Sequence, residues 1–329
     1  MELRHLRYFV AVAEERHITR AAARLGIQQP PLSAQIKALE AEFGTALFTR
    51  HARGVELTVG GHALLDPARS ILASVERARE HVVRSAQGME GSVCVGFTTS
   101  VAAHSFSSDV IRAYRRAYPR VALDLRESNA AELTALTARG EMHVALLRLP
   151  VAKPPEFVFD RLLDEEMLLV LPRDHALLKA GRHRAEPRIS LRQLANEAFI
   201  LVRRPGAPGM YADLLRACDE AGFTPQIAAE VDHMLTNINL VAAGIGVSVV
   251  PASMRGFRMD SVVYCRLNDA GGLHAPITLA YLASNRRPAA ANFIALVRRH
   301  ARALKHRSRA VTGASLVAPD RGHSARMPR

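Results

Sequence analysis

Gln28, Gln29, Ser33 and Lys37 fall within ten consecutive positions, and their amide, hydroxyl and ammonium groups are of the kind that meet base edges and phosphates in a DNA groove. Ala34 and Ala38 lie among them, small enough to let a backbone approach closely. Arg50 and Arg53 follow in a short basic turn, suited to a phosphate or to the electronegative minor groove. A second set of groups suits a different partner. Thr98-Thr99-Ser100 and Ser128-Asn129 bring hydroxyls and an amide, and Val202-Arg203 brings a guanidinium. Donors aimed from helix N-termini and faced by an arginine fit a small carboxylate.

The first set needs a helix-turn-helix to present it. Pro30 and Pro31 lack amide hydrogens that a first helical turn leaves unpaired anyway, so they start a helix at little cost. Leu32, Ile36, Leu39 and Phe43 recur at spacings of four, three and four, which predicts a helix to about Phe43 with these four side chains inward. Ser33, Ala34 and Lys37 then face outward. Ahead of it, Thr19 suits the N-cap of a helix over 20–25 that Gly26 ends, leaving a short turn through Gln28 and Gln29. Leu3, Leu6, Val10 and Ala13 mark a supporting first helix. Residues 47–58 read as a hairpin wing whose tip carries Arg50 and Arg53. An alanine-rich helical pair taken alone suits an ordinary core hairpin equally well; the proline pair, the glycine turn and the basic wing together favour DNA.

Thr58 is a natural N-cap for a long helical pattern reaching about Gln87. Leu64, Ala68, Ile71, Val75, Ala78 and Val82 form a heptad seam, which asks for a partner helix. A second copy of the chain is the simplest partner and would set two readers about 34 Å apart. Burial against the chain's own later domain is the competing reading. Pro67 removes one helix bond, so a kink there, or a regular helix beginning only after it, is expected.

Composition changes at the hinge-like stretch 87–92, and beyond it strands and helices alternate. Strands are expected at 92–97, 121–127 and 142–147, with helices at 101–117 and 130–139 between them. A second unit runs through 167–171, 191–196, 199–202, 211–221, 226–230, 233–243 and 247–250, with Asp232 as a helix N-cap. Segments 261–267 and 277–283 carry the chain back, and a helix over 289–304 closes it. This alternation predicts mostly parallel sheets covered by helices, in two lobes joined by two crossovers with a ligand cleft between them. The expected fold class is therefore an α+β multidomain chain: winged helix-turn-helix over 1–58, linker and dimerisation helix over 59–90, and a two-lobed α/β domain like a periplasmic binding protein over 91–304. Lobe I takes about 91–162 and 268–304, lobe II about 163–267, and 305–329 is a basic, disordered tail. Each hydroxyl of the second set also suits simple helix capping, and Arg148 fits either the cleft or an ion pair with Glu165 or Glu166.

Met1-Glu-Leu-Arg-His-Leu-Arg-Tyr-Phe9, Ile18-Thr-Arg-Ala-Ala22 with Leu25, Gln29-Pro-Pro-Leu-Ser33 and Leu39-Glu40 resemble the LysR-type transcriptional regulators. The likeness is specific over the first 66 residues, continues more weakly to about residue 300, and is strongest to the branch that controls benzoate, muconate and chlorocatechol breakdown. It implies a dimer or a tetramer built as a dimer of dimers, an inverted-repeat operator on double-stranded DNA, a small acid effector and contact with RNA polymerase. Ser100 matches the hydroxyl that touches the inducer in that branch, and Arg148 matches a family arginine. Two departures stand out. Ala34 replaces the arginine usual after the serine, which removes a phosphate or base contact, and Ala130 replaces a second cleft hydroxyl.

The charge of +13 is unevenly placed. Residues 1–60 hold eight Lys/Arg against six Asp/Glu, whereas 298–329 hold nine against one, so the tail rather than the reader supplies most of the excess. No apolar run near 18 residues opens or interrupts the chain, which predicts a cytoplasmic protein with no membrane partner. Cys94, Cys218 and Cys265 are single and far apart, which fits packed, reduced thiols better than the redox sensing some relatives perform. No metal, no cofactor and no catalytic constellation is expected: the histidines lack ligand spacing, and Gly244-Ile-Gly246 follows a helix, the wrong context for a nucleotide loop. A solute-binding protein without a DNA role is the alternative reading.

Overall fold

The computed structural model describes residues 1–149, 153–179, 187–202, 211–268 and 273–314, and the chain divides into two units that meet in sequence between Ala86 and Gln87. The first unit holds α1 (Leu3–Glu15), α2 (Ile18–Leu25), α3 (Gln29–Phe43), β1 (Phe48–His51), β2 (Gly54–Leu57) and α4 (Val59–Ala86). Gly26 ends α2 in the left-handed region at φ 70°, its amide donating to the carbonyls of Ala22 and Ala23, the C-terminal closure that glycine makes cheap. Pro30 and Pro31 occupy the first turn of α3. Leu6, Phe9, Val12, Ala22, Leu32, Ile36 and Leu39 are buried together as this unit's core, each large side chain contributing roughly 1.5–3 kcal/mol by leaving water.

Three expectations for this unit need correction. His17, not Thr19, stands at the N-cap of α2 and makes no side-chain capping bond, while Thr19 lies inside the first turn. Phe43, expected inward, is 45% exposed, because Gly44 ends the helix immediately after it, beyond the reach of the core. Pro67 neither delays nor divides α4, which starts at Val59 and runs unbroken to Ala86. Thr58 starts it by accepting the Gly61 amide at 3.0 Å, and Gly61 and Ala68 are buried on either side of the exposed proline. Packing of Leu64, Leu65 and Leu72 against the unit's core outweighs the one backbone bond that proline cannot make.

The second unit is organised by β6 (Phe157–Pro172), which follows β3 (Glu90–Phe97), α5 (Thr99–Ala102), α6 (Ser105–Ala117), β4 (Arg120–Glu127), α7 (Ala130–Ala138) and β5 (Val144–Leu147). After it come α8 (Ala176–Lys179), β7 (Arg188–Ile189), a 3-10 turn (Leu191–Leu194), β8 (Ala198–Val202), α9 (Ala212–Glu220), β9 (Gln226–Val231) and α10 (Met234–Ala242). His233 rather than Asp232 is the N-cap of α10. The chain ends through β10 (Ser248–Pro251), a 3-10 turn (Ala252–Gly256), β11 (Val262–Leu267), β12 (His274–Leu282) and α11 (Pro288–Ala314). That last helix extends past residue 304, into what the composition marks as tail.

The sheets are mixed rather than mostly parallel. In lobe I, β4, β3 and β5 are parallel neighbours, and β12 returns antiparallel between β5 and the first part of β6. From Met167 the same strand β6 pairs antiparallel with β10 and β11 of lobe II. One 16-residue strand thus serves both lobes. Phe106, Val110, Tyr114, Phe293 and Val297 fill the lobe I core, and Leu169, Phe199, Tyr211 and Val249 belong to the lobe II core.

Candidate nucleic-acid interface and ligand cleft

In the first unit the buried stripe of α3 turns the other face outward. Gln28, Gln29, Pro30, Pro31, Ala34 and Lys37 are exposed and Ser33 is half-buried. The Thr19 hydroxyl lies 3.3 Å from Gln29 Oε1 as its donor, so it ties the start of α2 to that of α3. The wing is a hairpin with His51 opposite Gly54, leaving Ala52 and Arg53 as its exposed two-residue turn. Arg50 Nη2 donates to Ser33 Oγ at 3.1 Å. Two of the expected DNA contacts therefore hold each other, and they fix the wing against the reader helix. Lys37 and Arg53 carry the remaining exposed charge.

Other residues of this unit carry weight without a local signal. Glu40 Oε1 accepts the amides of Leu47 at 2.9 Å and Phe48 at 3.1 Å, anchoring the first wing strand to α3. Glu14 on α1 receives Arg24 at 2.9 Å and Arg69 at 3.0 Å, linking α1 to α2 and α4. Arg69 first, and Arg24 next, hold its carboxyl below the usual carboxylate range. The partners of Glu14 lie 10 and 55 residues away in sequence, too far for spacing to reveal them.

The heptad seam divides. Ala68 is fully buried and Leu64 half-buried within the unit's own core, so these two face inward in a single chain. Ile71 is 39% and Val82 66% exposed, Ala78 is exposed and Val75 half-buried. The outward part of the seam, Ile71 to Val82, is about its last three turns.

In the second unit the C-terminal ends of β3, β4 and β5 lie side by side, as cleft-forming strands do. Thr98 precedes α5 without capping it through its side chain, and its Oγ1 is buried with no hydrogen-bond partner among the described residues. The Thr99 hydroxyl donates to Glu127 Oε1 at 2.6 Å, and that of Ser128 donates to the Glu132 carboxylate. Asn129 caps α7, its Oδ1 accepting the Glu132 amide at 3.0 Å. Val202 ends β8, half-buried; Arg203 lies outside the described residues. Thr99 and Ser128 thus each donate to a carboxylate, 28 residues away in sequence for Thr99 and four for Ser128.

Of the two readings open for Arg148, the structure gives the ion pair with Glu165, at 2.6 Å. Its Nε also donates to Ser100 Oγ at 3.1 Å, and both residues are buried. Ser100 is therefore a partner of Arg148, and Arg148 is no free cation for a ligand. Burial lowers the Arg148 affinity for its proton, and Glu165 opposes that shift.

All three cysteines are buried. Burial, with Asp124 beside Cys94, pushes the thiols up to about 11 for Cys94, about 11 for Cys218 and about 12 for Cys265. At pH 8 a thiol titrating near 11 is ionised in about one molecule per thousand. Iodoacetamide is expected to leave the folded chain unmodified over a period that fully labels the unfolded one, as read by mass spectrometry; labelling of any native cysteine at the unfolded rate would contradict this. Among the described residues no group of three or more His, Cys, Asp or Glu is placed to hold a metal. No described helix is long and apolar enough to cross a membrane.

The model of the bacterial regulatory helix-turn-helix protein, lysR family, matches residues 3–62, and that of the LysR substrate binding domain matches residues 86–302. The chain belongs to the LysR family. Within it, the uncharacterized HTH-type transcriptional regulator YnfL of Escherichia coli (strain K12) is 40% identical over 80% of this chain and 86% of YnfL. The HTH-type transcriptional regulator BudR of Raoultella terrigena is 39% identical over 85% of this chain and 94% of BudR. The crystal structure of CbnR, a LysR family transcriptional regulator, matches with a TM-score of 0.79 at 29% identity, covering 91% of this chain and all of CbnR. Full-length CbnR in complex with its target DNA matches with a TM-score of 0.75. This LysR-family chain is a DNA-binding transcriptional regulator, not an enzyme.

Proposed function

We propose that this LysR-family regulator works in the cytoplasm as a dimer, paired into tetramers, on an inverted-repeat operator, and that a small acid bound between the lobes changes the assembly and its contact with RNA polymerase. The observation that carries the DNA part is the outward face of α3, with Lys37 exposed and the wing fixed to it through Arg50 and Ser33. The likeness to CbnR, solved on its target DNA, supports it. Ile71, Ala78 and Val82 are the exposed apolar positions for a partner helix. An acid effector of the benzoate or muconate kind is supported by the place of Ser100 and by the buried hydroxyl of Thr98, which has no partner among the described residues.

A second reading of the effector has its own observation. Glu127 and Glu132 already take the hydroxyl protons of Thr99 and Ser128, so a ligand that brings donors, an amine or a polyol, would meet acceptors there. An anionic ligand must instead compete with two carboxylates.

The test has two arms. Binding to the DNA upstream of the chain's own gene, followed by fluorescence anisotropy over a salt series, is expected to weaken in Lys37→Ala, with the slope of log affinity against log salt reduced by roughly one. Thermal melts with benzoate, muconate, amines and polyols are expected to show stabilisation of about 2.7 kcal/mol for a true effector at about 100 times its dissociation constant. A shift with amines or polyols alone replaces the acid by the second reading. DNA binding untouched by Lys37→Ala removes α3 as the reader.

A further inference from the structure

The Arg148 guanidinium sits where the two lobes join. Arg148 follows β5 of lobe I, while Glu165 lies on β6, two residues before Met167, where that strand passes to lobe II partners. Ala275 of β12, opposite Glu165 in the register, stands on the second crossover and accepts from Arg148 Nη1 at 3.2 Å. Nη2 donates to the Ser100 carbonyl at 2.7 Å and to Ser253 Oγ at 3.2 Å. Ser253 belongs to lobe II, in the turn after β10. Its hydroxyl donates to the Ser100 carbonyl of lobe I at 3.2 Å, and its amide donates to the other oxygen of Glu165.

A buried ion pair is a poor source of stability, since apolar side chains of similar volume fold as well. What a planar guanidinium adds is direction. Four partners from both lobes and both crossovers are held in one fork, and they can separate only together. Such a joint has discrete positions rather than a continuous range.

We propose that Arg148 and Glu165 form a latch that sets the angle between the lobes, with Ser253 as its lobe II catch. Ser100 Oγ accepts from Arg148 Nε and keeps its own hydrogen to donate, so a carboxylate that takes that hydrogen is joined to the latch through Ser100. That last link rests on the reading of Ser100 as an effector residue; the latch itself does not.

The experiment reads the lobe-to-lobe distance in the full chain without DNA or effector, so its outcome is separate from the fate of the effector reading. Spin labels are attached through Arg112→Cys on α6 and Arg216→Cys on α9, both exposed, and labelled chain is diluted with unlabelled. The native cysteines are buried and stay unlabelled. One narrow distance is expected for the parent, and a shift or broadening of more than about 2 Å for Ser253→Ala and for the apolar pair Arg148→Met with Glu165→Leu. Ser253→Ala removes one hydroxyl at the surface of the joint and keeps the fold, which a thermal melt verifies. If folded Ser253→Ala and the folded apolar pair both reproduce the parent distance, the latch is overturned.

Discussion

Arg148→Met, made while Glu165 remains, is expected to lower the stability of the effector-binding unit by about 3–5 kcal/mol. The Arg148 side chain is 6% exposed and that of Glu165 7%, so the change leaves an uncompensated carboxylate out of water, and the carbonyls of Ser100 and Ala275 lose a charged donor. Methionine fills most of the volume, so the loss reports charge rather than a cavity. Set against a usual folding stability of about 5–15 kcal/mol, this is a large fraction. The double change Arg148→Met with Glu165→Leu is expected to recover most of it, because the cost lies in the unpaired charge and not in the absence of the pair. Urea melts of the full chain followed by circular dichroism give both numbers. A single variant within about 1 kcal/mol of the parent, or a double variant no better than the single, would show that water or another group reaches Glu165.

The reader was legible in the sequence because its signals are local. The proline pair, the glycine at φ 70° and the stripe of Leu32, Ile36 and Leu39 lie within 14 residues of one another, so spacing alone places the outward face. Thr58 was readable as a cap for the same reason, and its hydroxyl does cap α4. What spacing does not carry is tertiary partnership. Nothing near Thr99 announces that its hydroxyl will donate to Glu127, 28 residues on; Ser128 and Glu132 lie only four residues apart, a spacing from which their bond could be read. Leu64 and Ala68 fit a dimer seam by period, yet a period says that a face is covered and not by what; here the unit's own core covers them. The first half of β6 is not legible as a strand, because Asp160, Arg161, Asp164, Glu165 and Glu166 interrupt its apolar pattern. Those charges belong to a strand that bridges two lobes: Asp160 meets Arg298 at 2.8 Å, and Glu165 meets Arg148. The segment least legible as structure is the one that holds the joint.

Gly54→Ala is the second change of large expected effect, at about 3 kcal/mol or more. Gly54 closes the wing turn at φ +145°, where a side chain is strained, and an added Cβ would lie 2.4 Å from the carbonyl oxygen of Arg16. That carbonyl is fixed in place. Arg16 is itself left-handed at φ 49°, and its oxygen accepts the Val55 amide at 3.0 Å, docking the wing on the turn between α1 and α2. Relief requires the hairpin to move away from that turn, which carries Arg50 off Ser33 and moves the exposed Arg53 with it. DNA affinity should therefore fall together with the melting temperature. Gly26→Ala separates clash from backbone preference: Gly26 is also left-handed, at φ +70°, but has nothing within 4 Å of an added Cβ, so only the conformational cost of about 1 kcal/mol applies. Thermal melts and anisotropy on the same DNA for the two variants decide the matter. Equal losses in both would mean that the Arg16 carbonyl yields and the wing is not docked there; the larger loss in Gly54→Ala, with DNA binding lost alongside, means that one backbone contact holds the wing in register with the reader.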